Sequence, residues 1–267
     1  MPAAAVGAVT DEHVPQRTVH DVPDVAAQIT TGVVSGAVLS VVGALLVTKL
    51  GLWRRLGLIG RAERPRTLLW FLPFVIYGVL PLTQGVEFTA GQAALGVAFG
   101  LLTAFWKLTV LGLLLYAWLP RGAGSAAILA ATFWAAMHLG GILTGGIVAP
   151  TLVLGLSYLF LAFAFIAVRL RTGLLWPVVA SYALLLATVV ATQDTESSNL
   201  VASVADILPA LLISMLLAVY GVVAWPRSKR PPSVARWLEG YLRPGQSLAV
   251  AVVCFIWKEV GNLSLKT

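Results

Sequence analysis

Charge is scarce in this chain, and that scarcity excludes most of what a protein of its length could be. Only 11% of the 267 residues are charged, against about 25% in a soluble domain. Hydrophobic residues make up 59%, and the mean hydropathy is +0.91. Such a chain cannot clothe itself in polar groups, so lipid must cover part of it. Cysteine is almost missing too: Cys254 stands alone, which rules out an intramolecular disulfide framework and a thiolate metal cluster. Acidic residues are outnumbered, 11 against 18 basic ones, for a net charge of +7. That excess does not point to nucleic acid, because the Lys and Arg residues lie between apolar runs and not in a patch interleaved with aromatics. Residues 1–27 lack a basic stretch followed by an apolar core, so they do not resemble a secretory signal. They are expected to be a polar leader carrying Asp11, Glu12, Asp21 and Asp24. No internal repeat or low-complexity segment is visible.

What the chain does have is a series of apolar runs, most of them near the length of about 20 helical residues that crosses a hydrocarbon core. They predict an all-α polytopic membrane bundle of seven or eight helices. These fall at about Gln28–Leu52, Thr67–Leu82, Gln92–Leu119, Ser125–Leu143, Pro150–Val168, Leu174–Thr192 and Ile207–Trp225, with a shorter eighth segment at Ser247–Trp257. Residues 28–225 form the bundle, and 226–267 are a basic linker plus that last segment. Loop charge supports the count. One set of loops carries Lys49, Arg54, Arg55, Arg61, Arg64 and Arg66, then Arg121, then Arg169 and Arg171, then Arg227, Lys229, Arg230, Arg236 and Arg243. The opposite loops carry Glu87, Asp194, Glu196 and Asp206 and no Lys or Arg. By the positive-inside asymmetry, the N-terminus of a cell-membrane protein with this pattern is extracytoplasmic. Val234–Leu242, with Trp237, Tyr241 and Arg236, is amphipathic and suits the surface of an anionic membrane, or alternatively a docking partner.

Ionisable side chains at bilayer depth cost about 2.5–3.5 kcal/mol on insertion scales, which makes each a candidate for function. Two stand out. Lys107 lies about 18 Å from the cytoplasmic end of the third predicted helix, and His138 about 20 Å from the same side on the fourth. The tight turn Pro120–Gly124 makes these helices an antiparallel hairpin, so the two residues share a depth. Trp134 shares the face of His138 four residues on. Trp106 adjoins Lys107, and Tyr158 and Tyr182 fall at similar depth on the next two helices. A lysine facing aromatic rings gains a cation–π term of about 2 kcal/mol when desolvated. As a neutral amine it can instead share a hydrogen bond with the imidazole. The plain alternative is that the pair only glues helices together. The acidic loop Gln193–Asp206 could hold a metal or a diphosphate, but nothing in its sequence fixes a geometry.

Three stretches carry a resemblance to a known family: Trp106–Arg121 (WKLTVLGLLLYAWLPR), Ala126–Leu139 (AAILAATFWAAMHL) and Arg169–Leu186 (RLRTGLLWPVVASYALLL). The last contains RTGLLWP, the most specific element, and GLWRRLGL after the first helix has the same flavour. Over roughly 50–192 the chain resembles the CAAX-protease and bacteriocin-processing (CPBP, or Abi) intramembrane proteases, which are similar to type II CAAX prenyl endopeptidases. The resemblance implies a helical membrane fold around a site where two glutamates and two histidines bind or activate water. Here the glutamate pair falls on Trp106 and Lys107, and the family's arginine falls on Leu111. Its phenylalanine falls on Trp134, and its first histidine is present as His138. The second histidine falls on Tyr182 and the asparagine on Leu185 or Leu186.

One imidazole cannot supply the roughly three protein ligands of a catalytic metal, and an ammonium at Lys107 would repel the ion. No metal or other cofactor is therefore expected. The expected function is non-proteolytic: binding a membrane lipid, an isoprenoid or a hydrophobic peptide in the former active-site cavity, or serving as an immunity or assembly partner of another membrane protein. Alternatives are a re-equipped enzyme using Lys107, His138, Tyr158 and Tyr182 for acid–base or Schiff-base chemistry, and an atypical intramembrane metalloendopeptidase. A transporter is a weaker fit, since no broken helices recur in paired repeats.

Overall fold

The computed structural model describes residues 25–62, 65–84, 90–139, 142, 148–192 and 204–226. Most of the polar leader, most of the acidic loop after Thr192, the basic linker after Pro226 and the segment Ser247–Trp257 lie outside these residues. All regular structure among the described residues is helical, as expected where lipid offers backbone groups no hydrogen-bond partner. The α-helices are α1 (Val25–Lys49), α2 (Trp53–Leu56), α3 (Leu72–Val79), α4 (Ala90–Trp118), α5 (Ala123–His138), α6 (Val148–Thr172), α7 (Trp176–Thr192) and α8 (Val204–Ala224). Among the described residues five helical stretches are long and apolar enough to cross a membrane: Thr30–Lys49, Pro65–Thr83, Ala93–Arg121, Val148–Thr172 and Ile207–Ala224. Two further apolar helices, Ala123–His138 and Trp176–Ala191, are shorter.

Two elements differ from the sequence expectation, each for a local reason. The second expected helix is α-helical only over Leu72–Val79, between 3-10 turns at Pro65–Phe71 and Leu80–Gln84. Pro65, Pro73 and Pro81 cannot donate to the helical ladder, and they segment it. The fourth expected helix ends at His138 and not at Leu143, so the histidine is the last residue of α5. Gly140 and Gly141, which follow in the sequence, have poor helix propensity.

Helix α4 organises the bundle, packing against α1, α5 and α7, while α6 joins α5 to α8. The contact of α4 with α7 is the closest. A Cβ on Gly96 would lie 2.8 Å from the Ala187 carbonyl oxygen, and one on Gly100 would collide with the carbonyl of Ala183. Gly96 and Gly100 thus oppose Ala187 and Ala183, small residues spaced by four on both helices. Such spacing lets backbones touch where lipid removes the hydrophobic drive for association. Outward faces of α1 and α8 expose Val34, Val38, Val41, Leu212, Leu216 and Val219, which suits contact with lipid.

At one end of the bundle, the stretches GLWRRLGL and RLRTGLLWP dock onto each other. Gly57, in the left-handed region (φ 74°), offers its carbonyl to the free N–H groups of Leu175 (2.8 Å) and Trp176 (3.1 Å) at the start of α7. A Cβ there would collide with the Gly173 carbonyl. Arg169, only 5% exposed, donates from Nε to Leu56 O (3.0 Å) and from Nη2 to Arg55 O (2.6 Å). Arg169, counted above among the basic residues that follow an apolar run, is also a buried tie between α6 and α2. Exposed Arg171 lies 4.2 Å from the centre of the Trp70 ring. The 50–62 stretch, the α6–α7 turn and, through an Arg171–Ala224 contact (3.4 Å), the end of α8 therefore share one end of the molecule.

Arg169→Met leaves two carbonyls without their donor and is expected to cost about 3 kcal/mol. Arg169→Lys, a single-point donor, should recover only part of that. Thermal unfolding in detergent measures both, and an unchanged midpoint for Arg169→Met would show that the tie is dispensable. Gly100→Leu should do more damage, abolishing a cooperative transition by prising α4 from α7, whereas Gly124→Ala, with nothing within 4 Å of the added carbon, should be tolerated.

Candidate functional site

The α4–α5 turn, Leu119–Arg121, folds α4 back along α5 and brings Lys107 against His138: Nζ lies 3.1 Å from Nε2. The other imidazole nitrogen, Nδ1, is 2.8 Å from the carbonyl oxygen of Trp134, one turn earlier on α5. A carbonyl can only accept, so in the neutral ring Nδ1 carries the proton and Nε2 presents its lone pair to Lys107. The lysine is the donor in the Lys107–His138 contact.

Aromatic rings enclose the pair. Tyr158, on α6, stacks on His138 with ring centres 3.6 Å apart and planes 23° apart, and its ring centre is 5.9 Å from Lys107 Nζ. Trp134 is tilted against His138 at 5.5 Å and meets the edge of Tyr182, on α7, at 6.0 Å. The five side chains thus come from α4, α5, α6 and α7, with Trp134 and His138 both on α5. Trp134 and Tyr182 are 1% exposed, whereas Lys107, His138 and Tyr158 keep some accessible surface, although Lys107 Nζ is itself densely surrounded by protein. Trp106, about 100° round the helix from Lys107, packs against the bundle core. The remaining sequence candidates, Lys107, His138, Trp134, Tyr158 and Tyr182, all lie in this one cluster.

Sequence reasoning missed Tyr77. Its phenol, on α3, is within electrostatic reach of Tyr158 and Tyr182 and interacts with Ser214 of α8. Nothing in the sequence spacing flags it, because α3 is short and its register against α7 is set by packing at Gly78, where an added carbon would lie 3.2 Å from Leu184 Cγ, Leu185 N and Ser181 O.

The polar groups here are unbalanced. Lys107 has donors to spare, and the Trp134 indole N–H and the Tyr182 hydroxyl are buried without a hydrogen-bond partner. The Tyr158 and Tyr182 hydroxyls lie within reach of each other, although no hydrogen bond of full geometry is made by the Tyr182 hydroxyl, and each phenol oxygen can accept as well as donate. No Asp or Glu occurs in the sequences of α4, α5, α6 or α7. The donor set does not suit a divalent metal. Both nitrogens of His138 are engaged, one by an amine, and among the described residues no three His, Cys, Asp or Glu side chains gather.

No family model, no curated protein and no solved structure matches this chain.

The Lys107–His138 contact predicts non-additive stability. In a double-mutant cycle with Lys107→Met and His138→Phe, detergent unfolding should show a coupling of about 1 kcal/mol. Additivity within about 0.3 kcal/mol would mean that the contact contributes nothing.

Proposed function

We propose that this multi-pass membrane protein uses the CPBP-like scaffold its sequence resembles, without peptide hydrolysis, to bind a lipid, isoprenoid or hydrophobic peptide at the Lys107–His138 cluster. The 3.1 Å contact between Nζ and Nε2, roofed by Tyr158 and Trp134, is the observation that carries this reading. Water activation in such a family needs a carboxylate or a metal held by several ligands. The group placed here is a cation whose neighbour already accepts its hydrogen bond. What the cluster offers is recognition: apolar faces for a hydrocarbon and a few oriented donors for a polar head, the usual make-up of a small-molecule site.

In this proposal α5 and α7 complete seven crossings. Each falls a few residues short of about 20, and the loop-charge asymmetry places the N-terminus outside the cell membrane. A partner role, as an immunity or assembly component, is compatible with the same site if the hydrophobic ligand is a segment of another membrane protein.

Native mass spectrometry of gently solubilised protein should reveal a co-purified hydrophobic molecule. Lys107→Met should lose it while keeping its unfolding midpoint within a few degrees. Hydrophobic and prenylated peptides should stay intact on incubation, with or without added zinc. Peptide cleavage abolished by His138→Ala would overturn the non-proteolytic assignment, and a wild-type protein that carries no ligand and accepts none would overturn the binding role.

A further inference from the structure

The cluster holds one kind of hydrogen-bonding surplus, and that surplus specifies a ligand chemistry. We propose that the site selects amphiphiles with a singly charged acidic head, a carboxylate on an apolar tail, held by Lys107 with the Tyr182 hydroxyl and the Trp134 indole N–H. This inference stands on the ligand-binding role proposed above and narrows it.

The one imidazole lone pair is taken by Lys107, and the Trp134 carbonyl is taken by Nδ1. Left over are the remaining hydrogens of Nζ, the indole N–H and the Tyr182 hydroxyl, the last two belonging to side chains 1% exposed, and they outnumber the phenol oxygens of Tyr158 and Tyr182 that could accept from them. An indole N–H can only donate, and an ammonium can only donate. Buried donors without partners are destabilising and call for an acceptor. A ligand made wholly of hydrocarbon would leave all of them unmet. An alcohol would satisfy some of them but leave the lysine charge without a counter-charge, since α4, α5, α6 and α7 contain no carboxylate.

Charge then selects among acidic heads. A carboxylate brings one negative charge to one ammonium and leaves the site neutral. A phosphate monoester brings a second, and an uncompensated charge at this depth is costly. His138 adds no positive charge while Nδ1 donates to the Trp134 carbonyl and Nε2 keeps its lone pair for Lys107.

Full-length protein in detergent, freed of co-purified lipid, would be titrated by native mass spectrometry with oleate, oleyl alcohol and oleoyl lysophosphatidate. Oleate should bind at least about tenfold tighter than the alcohol, in keeping with the strength of charge-assisted hydrogen bonds. Lys107→Met should weaken oleate by at least about tenfold and so erase that preference. Tyr182→Phe, which keeps the ring and removes only the hydroxyl, should weaken oleate severalfold and serves as the second variant if Lys107→Met fails to fold. Equal binding of oleate and alcohol, insensitive to both substitutions, would overturn the acid preference but leave the ligand-binding role intact. Tighter binding of the lysophosphatidate would overturn the monoanion assignment. Failure of all three probes on wild-type protein would remove both the preference and the role.

Discussion

The backbone contact between α4 and α7 governs the arrangement of everything else in the bundle. Lipid tails are as apolar as leucine, so these helices gain little by hiding hydrocarbon from their surroundings. They gain by close packing. Gly96 and Gly100 opposite Ala187 and Ala183 allow a separation that larger side chains forbid. Because the contact is backbone to backbone, it leaves little freedom to slide, and it fixes the level of Tyr182 relative to Lys107. A looser pair of helices would leave the same residues with no defined geometry between them.

The second fixed point is at the end of the bundle where Arg169 and Gly57 meet. A guanidinium forms two hydrogen bonds to carbonyls closing α2, and the Gly57 carbonyl covers free N–H groups opening α7. Helix termini are where backbone groups are left over, and here the leftovers of two helices satisfy each other or are met by one arginine. Glycine is needed at Gly57 on two counts, its positive φ and the nearness of Gly173. The close packing of α4 on α7 and the Gly57 contact hold α7 at two different levels, near Trp176 and near Ala183 and Ala187.

Between those fixed points lies a cluster whose composition is more informative than its shape. No Asp or Glu occurs in the sequences of α4, α5, α6 or α7, the helices that supply this cluster. The cluster is a set of donors among flat rings. Donors in an apolar surround bind strongly because water is not there to compete, and they are costly when empty for the same reason. A recognition site and a strained, ligand-free core thus share one physical description. Occupancy decides between them.

Much of this was legible in the sequence, and the reason is the solvent. A hydrocarbon slab imposes helices and demands runs of apolar residues, so the composition and spacing of those runs determined an all-helical membrane protein with a hairpin at Pro120–Gly124. The same spacing put Lys107 and His138 at one depth, and the structure has them 3.1 Å apart. Depth is a one-dimensional property that residue counting can reach. Rotation about each helix axis and the pairing of distant helices are not, because they depend on which side chains interlock. Only the tertiary structure could therefore make Arg169 a buried tie, end α5 at His138, segment α3 between prolines and bring Tyr77 beside Tyr158 and Tyr182. The sequence by itself determined the medium, the elements and the depth of the polar groups. Packing decided which of those groups meet, since contact is set by steric fit between surfaces far apart along the chain.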